Sequence, residues 1–286
     1  MQVASRPFII YRVVLALILG VGVGIVCELV TPIGWPAGIP VGVIVIALSI
    51  RRPLRRLRAV RQPLPPEAAG WLERFLPLYR RLDTAARERF ENDMKIVLDE
   101  WTYEGVEGVE VTSEMKAGVA AGAALLLHGR ADWELPRHQT ILFYPDRFDL
   151  DYLLDDEAAF DGMAHQQGPI ILSSVALQQS WEDPGDGDNV VLHELAHLLD
   201  YENEFADGVP SLIDRGSTVA WRDLVRKEMW RIRHRRSMLR NYGATNPAEF
   251  FAVAVENFFE RPDQMAERHP ELFAALKALF NLDPRS

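Results

Sequence analysis

Two long apolar stretches open the chain. From Val13 to Val30 the only charged residue is Glu28, and from Ile33 to Ile50 there is no charged residue at all. Eighteen residues is close to the lower limit for a helix that crosses a bilayer core roughly 30 Å thick. Because only the short Thr31-Pro32 segment separates the two stretches, the pattern predicts a hairpin of two transmembrane helices.

Arginines flank this apolar region on both sides. Arg6 and Arg12 precede it, and six arginines follow it between Arg51 and Arg61. By the positive-inside rule both ends face the cytoplasm, which predicts membrane contact through residues 8–50 in a bacterial inner membrane. A cleaved signal peptide is the main alternative, since Arg12 followed by an apolar core has that form, and buried helices of a soluble core are another. The second apolar stretch and the arginine cluster favour the hairpin, because together they form a stop-transfer pattern.

The pattern of a soluble domain begins after the proline-rich segment Gln62–Pro66, which is typical of a stiff linker. We therefore predict a membrane hairpin with a basic flank in residues 1–62 and a folded domain in residues 63–286. Apolar residues at helical spacing and short apolar runs predict a mostly helical α+β domain with a small sheet. The predicted helices are Trp71–Tyr103 and Ser113–Leu127, and the predicted strands are Thr140–Tyr144 and Gly168–Leu172.

Composition and charge exclude some classes of function. With 48% hydrophobic and 25% charged residues the chain is globular. Residues 63–286 carry 23 basic and 40 acidic residues, a net charge of −17, which argues against nucleic-acid binding through phosphate contacts. The single cysteine, Cys27, excludes an internal disulfide and a zinc site of several thiolates, so a metal here would bind through His and carboxylates.

The sequence His193-Glu194-Leu195-Ala196-His197 is the main candidate for chemistry. Asn189 is a good N-cap for the apolar helical run that follows, and two His four residues apart project from one face, where they can bind one metal ion. Glu194 lies beside them and can act as general base on a metal-bound water. A buried structural pair of His is the alternative, although unpaired imidazoles on an apolar helix are costly to bury.

A third protein ligand must come from elsewhere. Position 203, where metzincins have a third His, is Asn203. Asp200 lies about a turn beyond the metal position, so it is expected to orient a ligand or to close the helix. Glu249 opens a second helix, where a capping role is the alternative. That helix is almost wholly apolar and hence buried, so its carboxylates Glu249 and Glu256 need a cation, which for Glu249 would be the metal ion.

These motifs resemble the Mlc titration factor A family of zinc metallopeptidases, which are relatives of the gluzincins. The resemblance extends over about residues 70–280. The matching segments are Asn189–Asp200, Ala206–Pro210, Tyr242 with Asn246–Val253, and Glu256–Phe259, with weaker matches at Thr140–Pro145 and Gln167–Ser173.

The resemblance implies a zincin-like metallopeptidase fold with a small sheet beside the active-site helix. It implies one Zn²⁺ held by His193, His197 and Glu249. It also implies Glu194 as general base and Tyr242 as the group that stabilises the tetrahedral intermediate, a role suited to a phenol beside a developing oxyanion. In that arrangement Ile170–Ser173 would be an edge strand that pairs with an extended peptide.

The resulting expectation is a membrane-tethered zinc peptidase, with aminopeptidase activity as one option, that hydrolyses a peptide or protein substrate with a metal-activated water. The alternative is a regulatory binding protein that sequesters a transcriptional repressor or another partner, with peptidase activity secondary. A structural zinc site is a further alternative. Glu194 favours the enzyme, since neither binding nor structural support requires that carboxylate.

Overall fold

A computed structural model of the chain describes residues 6–30, 38–136, 138–145, 168–200 and 216–286, and also Pro36, Pro210 and Ile213. Its contacts divide into two compact units, Met1–Pro63 and Leu64–Ser286. The segment Thr31-Pro32, Asn203 and most of Ala206–Pro210 lie outside the described residues.

The first unit contains two helices, α1 (Arg6–Val30) and α2 (Gly38–Arg61). Glycines allow the two backbones to approach closely. A Cβ atom on Gly38 would overlap the carbonyl oxygen of Gly20, so no larger residue fits at that position without displacing a helix. Small residues serve this purpose wherever two apolar helices pack without bulky side chains between them.

The prediction of two membrane-spanning helices is wrong for the second helix. In the described part of the chain one helix, Ile10–Val30, is long and apolar enough to cross a membrane, with 21 residues and a mean hydropathy of 2.7. Helix α2 begins at Gly38 and reaches Arg51 after 13 residues, so its uncharged part measures about 20 Å at 1.5 Å per residue. That is shorter than the bilayer core. Membrane anchors and signal sequences both have the length and composition of α1.

The second unit is mostly helical. It contains three short strands, and the last of them is followed by a series of helices that ends near the C-terminus. Its elements are α3 (Pro66–Phe75), α4 (Pro77–Arg81), α5 (Thr84–Glu100), β1 (Thr102–Gly105), α6 (Ser113–Leu127), β2 (Thr140–Tyr144), β3 (Ile170–Ser173), α7 (Ser174–Glu182), α8 (Val190–Asp200), α9 (Thr218–Arg233), a 3₁₀ helix (Asn241–Ala244), α10 (Pro247–Glu260), α11 (Pro262–Arg268) and α12 (Pro270–Phe280).

The three strands form a parallel sheet in the order β1-β2-β3. Thr102 pairs with Thr140, and Ile141 pairs with Ile170. Strand β3 lies at the edge of the described sheet and packs beside α8. The expected mostly helical α+β domain with a small sheet is therefore confirmed.

The alanine-rich helix α6 lies at the centre of the core, since every residue from Ala117 to Leu127 is buried. It packs against α3, α5 and α8. The approach to α8 is close because Gly122 has no side chain: a Cβ atom there would meet Val191 and Leu195 at 2.8 and 3.2 Å. Helix α10 packs on α8 as well, and its residues Phe250, Phe251 and Phe258 are fully buried. The core thus fixes α8 against two other helices.

Candidate metal centre

The start of α8 is fixed by side-chain hydrogen bonds. Asn189 caps the helix by accepting a hydrogen bond from the backbone N–H of Leu192 at 3.0 Å. Its amide group donates to the carbonyl oxygen of Ser180 at 3.2 Å and to Glu260 at 2.9 Å. The hydroxyl oxygen of Ser180 accepts from the backbone N–H of Val190 at 3.0 Å. These contacts set the position of the first turn of α8, one turn before the motif.

The start of α10 sets the position of Glu249. The side chain of Asn246 accepts a hydrogen bond from the backbone N–H of Glu249 at 2.9 Å, and Pro247 occupies the first helical position. The backbone of Glu249 thus completes the cap, whereas its carboxylate contacts the histidines of α8. The capping role and a ligand role are compatible, because they use different parts of the residue.

His193, His197 and Glu249 form one compact cluster. Oε2 of Glu249 lies 2.9 Å from Nε2 of His193 and 3.5 Å from Nε2 of His197. One ligand atom from each residue lies within 4.8 Å of the other two, and the three side chains are largely buried. Two imidazole nitrogens and one carboxylate oxygen are a donor set that holds zinc in hydrolytic enzymes while leaving a position open. The residues therefore fit a single divalent ion.

The charges of the cluster favour a bound cation. Burial disfavours the protonated form of His193, but its hydrogen bonds to Glu249 and Glu256 outweigh this and raise its pKa to about 10. Burial also disfavours the ionised form of Glu249, yet contact with His193 and His197 holds the pKa of that carboxyl well below its usual range. Two carboxylates thus stabilise positive charge at this point, as a proton or as a metal ion.

Glu256 holds His193 in place from the side opposite to Glu249. It is fully buried, and its Oε1 lies 2.7 Å from Nδ1 of His193. Its Oε2 accepts the backbone N–H of Asn189 at 2.8 Å, and one nitrogen of Arg240 donates to both oxygens at 2.6 and 2.7 Å. A carboxylate on Nδ1 selects the tautomer whose Nε2 is free for a metal. The sequence predicted that Glu256 needs a cation, and the structure identifies that cation as Arg240, which carried no recognisable pattern of its own.

Arg240 is itself held on two sides. Besides Glu256 it contacts Asp188, whose Oδ1 lies 2.7 Å from the second guanidinium nitrogen. Because Asp188 immediately precedes the cap of α8, Arg240 connects the turn after α9 to the start of the motif helix.

Asp200 is the last residue of α8 and is fully buried. Among the described residues, the group that could hold a metal ion does not include Asp200.

Tyr242 lies in the 3₁₀ helix beside the cluster. Its ring centroid is 5.7 Å from that of His193, with the rings tilted by 41°. Burial, followed by the negative charges of Glu249 and Glu194, raises the pKa of Tyr242 above its usual value, so the phenol stays protonated and can donate a hydrogen bond. The structure thus brings Tyr242 to the cluster, although only resemblance had selected it.

Glu194 is half-buried next to His193. Its charge acts on both His193 and Tyr242, which places the carboxylate close to them. Within the part of the chain that the structure describes, no hydrogen bond or ion pair involves this side chain. The carboxylates of Glu249 and Glu256 contact His193, whereas Glu194 makes no such contact.

Comparisons with known proteins place these residues in a family. The sequence model of the glucose-regulated metallo-peptidase M90 matches residues 51–281, which include both helices of the cluster. Uncharacterized protein slr2042 of Synechocystis sp. is 31% identical over 240 residues, covering 78% of this chain and 86% of that protein. Mlc titration factor A of Serratia proteamaculans is 29% identical over 242 residues (78% and 90%), and that of Salmonella arizonae is 31% identical over 217 residues (70% and 82%).

The resemblance to the Mlc titration factor A family is therefore confirmed. The match covers most of the second unit, including the sheet and the helices α8 and α10 that carry the cluster. A metallopeptidase family implies a metal ion, and the donor set of His193, His197 and Glu249 is consistent with one. This chain belongs to the glucose-regulated metallo-peptidase M90 family.

Proposed function

We propose that this protein is a zinc-dependent peptidase that hydrolyses peptide bonds in a peptide or protein substrate. The observation that carries the proposal is the cluster of His193, His197 and Glu249 with Glu194 directly beside it. The three clustered residues would hold the ion. Glu194 would act as the general base, since it is a carboxylate at the site without a structural role among the described contacts.

Zinc, when bound, supplies a Lewis acid that polarises the scissile carbonyl and lowers the pKa of water. Glu194 then takes the proton of the attacking water and delivers it to the leaving amine. The phenol of Tyr242, which its raised pKa keeps protonated, donates a hydrogen bond to the carbonyl oxygen as negative charge develops there. Glu256 and Arg240 keep the imidazole of His193 in its orientation during this cycle.

The substrate is proposed to bind in an extended conformation along β3. This strand is one of the two edge strands of the described sheet and is the one that packs beside α8, so we expect an added peptide strand to run past the cluster. Main-chain hydrogen bonds to an edge strand give affinity with little dependence on substrate sequence.

The membrane part of the proposal rests on α1. We propose that this helix anchors the chain in the bacterial inner membrane with the peptidase domain on the cytoplasmic side. Only 11% of its most apolar 18-residue window is buried, which leaves apolar side chains such as Leu17 and Ile18 exposed. The positive-inside rule favours the orientation, because six arginines follow α1 in the segment 51–61 and only Arg6 and Arg12 lie at its other end.

A regulatory binding protein is the second candidate. Two of the relatives above are named for the titration of Mlc, which is consistent with a domain of this family that binds a protein partner. For this chain the corresponding function would be to sequester a transcriptional repressor or another partner, with hydrolysis secondary.

The substitution Glu194→Gln distinguishes these candidates. The purified full chain is tested for bound zinc and for cleavage of a peptide library, with and without a chelator. We expect the native protein to hold one zinc per chain, and the variant to hold the same zinc while cleavage falls about 10²–10⁴-fold, because a general base contributes that much. The matched control is Glu88→Gln, which removes an exposed carboxylate on α5 and should change neither quantity.

Other outcomes contradict the proposal in different ways. Unchanged cleavage by the Glu194→Gln protein would remove Glu194 from the chemistry. A cellular phenotype that survives this substitution would favour sequestration of a partner. If chelation unfolded the protein and the native chain cleaved no peptide, the zinc would be structural.

A further inference from the structure

The segment from Thr218 to Arg240 is basic within an acidic domain. Its 23 residues include eight Lys or Arg and two acidic residues, a net charge of +6, whereas residues 63–286 together carry −17. Most of the segment is helix α9, whose inner face packs against the 3₁₀ helix, α10 and α12. The buried residues of that inner face are Trp221, Val225, Glu228, Met229 and Ile232. The basic side chains lie mainly on the outer face.

The outer face of α9 also exposes large apolar side chains. In the second unit the described large hydrophobic residues that are exposed are Val175, Val219 and Trp230, and the last two lie on α9. Trp230 is 48% exposed, although an indole of this size is usually mostly covered. Val219 and Trp230 are eleven positions apart, which is three helical turns, so they share one face. An aromatic residue surrounded by cations on a helix surface is typical of a membrane-surface helix.

Two side chains just after α9 contact this tryptophan. The ring of Trp230 stacks on His234 at 4.1 Å, and the guanidinium of Arg236 lies 5.5 Å from its centroid. His234, Arg235 and Arg236 are all exposed. Among the described residues neither Arg235 nor Arg236 forms an ion pair through its guanidinium, so both charges face solvent. We call Trp230, His234, Arg235 and Arg236 the basic tryptophan patch.

From this geometry we infer that the basic tryptophan patch docks on an anionic lipid surface. Indole rings bind at the level of the headgroups, and exposed guanidinium groups are attracted to anionic lipids. A lipid surface fits better than a nucleic acid, because the exposed Val219 on the same helix face is an apolar side chain that can enter the headgroup region and that phosphate contacts would not use. The inference rests on the proposed membrane anchor α1, which would hold the domain near headgroups.

Docking of the patch would hold the candidate metal centre near the membrane surface, since the patch is followed within a few residues by Arg240 and Tyr242. The patch would favour substrates at or near the membrane surface, and it would do so without contributing any group to the chemistry.

The test uses the full chain in lipid nanodiscs. The discs contain phosphatidylcholine alone or with added phosphatidylglycerol, together with a lipid brominated next to the headgroup, which quenches nearby tryptophan. The difference between the native chain and Trp230→Phe isolates the signal of Trp230. We expect quenching of Trp230 in the anionic discs at low salt. We expect it to be lost in the neutral discs and in about 1 M salt, where the Debye length is about 3 Å.

A charge-reversed variant and its control sharpen the test. Arg235→Glu with Arg236→Glu should abolish the quenching of Trp230 in anionic discs. Arg80→Glu with Arg89→Glu makes the same change in charge at exposed positions of α4 and α5 and should leave the quenching unchanged. Peptide cleavage in detergent should be the same for both variants as for the native chain, since none of these residues belongs to the metal centre.

The results that would contradict the docking surface can be distinguished from those that would contradict the membrane anchor. Equal quenching in neutral and anionic discs, or no quenching of Trp230 although the chain floats with the discs, would overturn the docking surface while α1 stays an anchor. A chain that does not enter the discs would overturn the anchor and the docking surface together, while the peptidase assay tests the chemistry separately. A response of Trp230 to an oligonucleotide or an acidic peptide in place of lipid would also overturn the inference.

Discussion

Substitution of Glu256 by Gln tests whether the network behind His193 supports the metal centre. The change keeps the shape of the side chain and one carbonyl oxygen, but it removes the charge. In the native structure three groups donate to this buried carboxylate: His193, Asn189 and Arg240. A carboxamide has one acceptor oxygen and an NH₂ group that would face at least one of these donors.

The magnitude follows from these contacts. Breaking a buried charge pair costs about 3–5 kcal/mol, and a hydrogen bond to a charged group contributes about 1.5–3 kcal/mol. Water offsets part of this loss, because the side chain of Arg240 is 32% exposed. The oxygen of the new carboxamide also still accepts one of the hydrogen bonds, which reduces the loss further. We therefore expect the free energy of unfolding to fall by about 2–4 kcal/mol, which lowers the melting temperature by about 5–15 °C for a domain of this size. Zinc affinity should fall about 10–100-fold, because His193 loses its orienting partner.

Two measurements check this prediction: zinc affinity by competition with a chromophoric chelator, and thermal unfolding followed by circular dichroism. The matched control is Glu267→Gln, which makes the same change at an exposed position of α11 and should bind zinc and melt like the native chain. A Glu256→Gln protein that binds zinc as tightly as the native chain and melts at the same temperature would refute the supporting role of Glu256.

Three further predictions concern the site and its surroundings. Tyr242→Phe keeps the ring beside His193 but loses the hydroxyl, so kcat should fall about 10²–10³-fold with zinc content unchanged; an unaffected kcat would contradict the proposed role. The folded-state pKa of Glu260, about 8, lies above its ordinary value of 4.5, so its contribution to stability is present below about pH 4.5 and is lost as the pH rises through 8. Denaturant titrations should show this loss in the native chain and not in Glu260→Gln. Finally, the pKa of His193 is about 10 without metal, so zinc must displace a proton there, and zinc affinity should rise about tenfold per pH unit below pH 10 in chelator competition.

Parts of the site could be predicted from the sequence because their geometry is local. The spacing of His193 and His197 places both rings on one helix face in any regular helix, and Asn189 caps that helix as expected. Glu249 could be predicted as a ligand by a weaker argument, because a carboxylate at the start of a buried helix needs a cation as its partner. The contact of Arg240 with Glu256 could not be predicted. It depends on how the turn after α9 lies against α8 and α10, and a periodic pattern in the sequence does not contain that information.

The fold was predictable to a similar degree. Helix α6 and strand β2 have the predicted bounds, because an unbroken alanine-rich run and a short apolar run between polar residues leave few alternatives. The single helix predicted for Trp71–Tyr103 is instead three helices and a strand. Leu76 is extended before Pro77, as expected for the residue before a proline, and Asp83 starts the next helix by capping it. The second apolar stretch begins at Ile33, but Pro36 and Pro40 indicate that its first part is not helical, and α2 begins at Gly38.

The arrangement of carboxylates favours the proposed peptidase over a pure binding protein. Glu249 and Glu256 are both used to hold His193, and Glu256 also ties the start of α8 to Arg240. A structural metal site would need only these contacts. Glu194 adds a half-buried carboxylate next to this cluster, and it supports none of the described contacts. In the proposed hydrolysis this carboxylate would be the general base, whereas sequestration gives it no role, and this is the reason to place hydrolysis before sequestration.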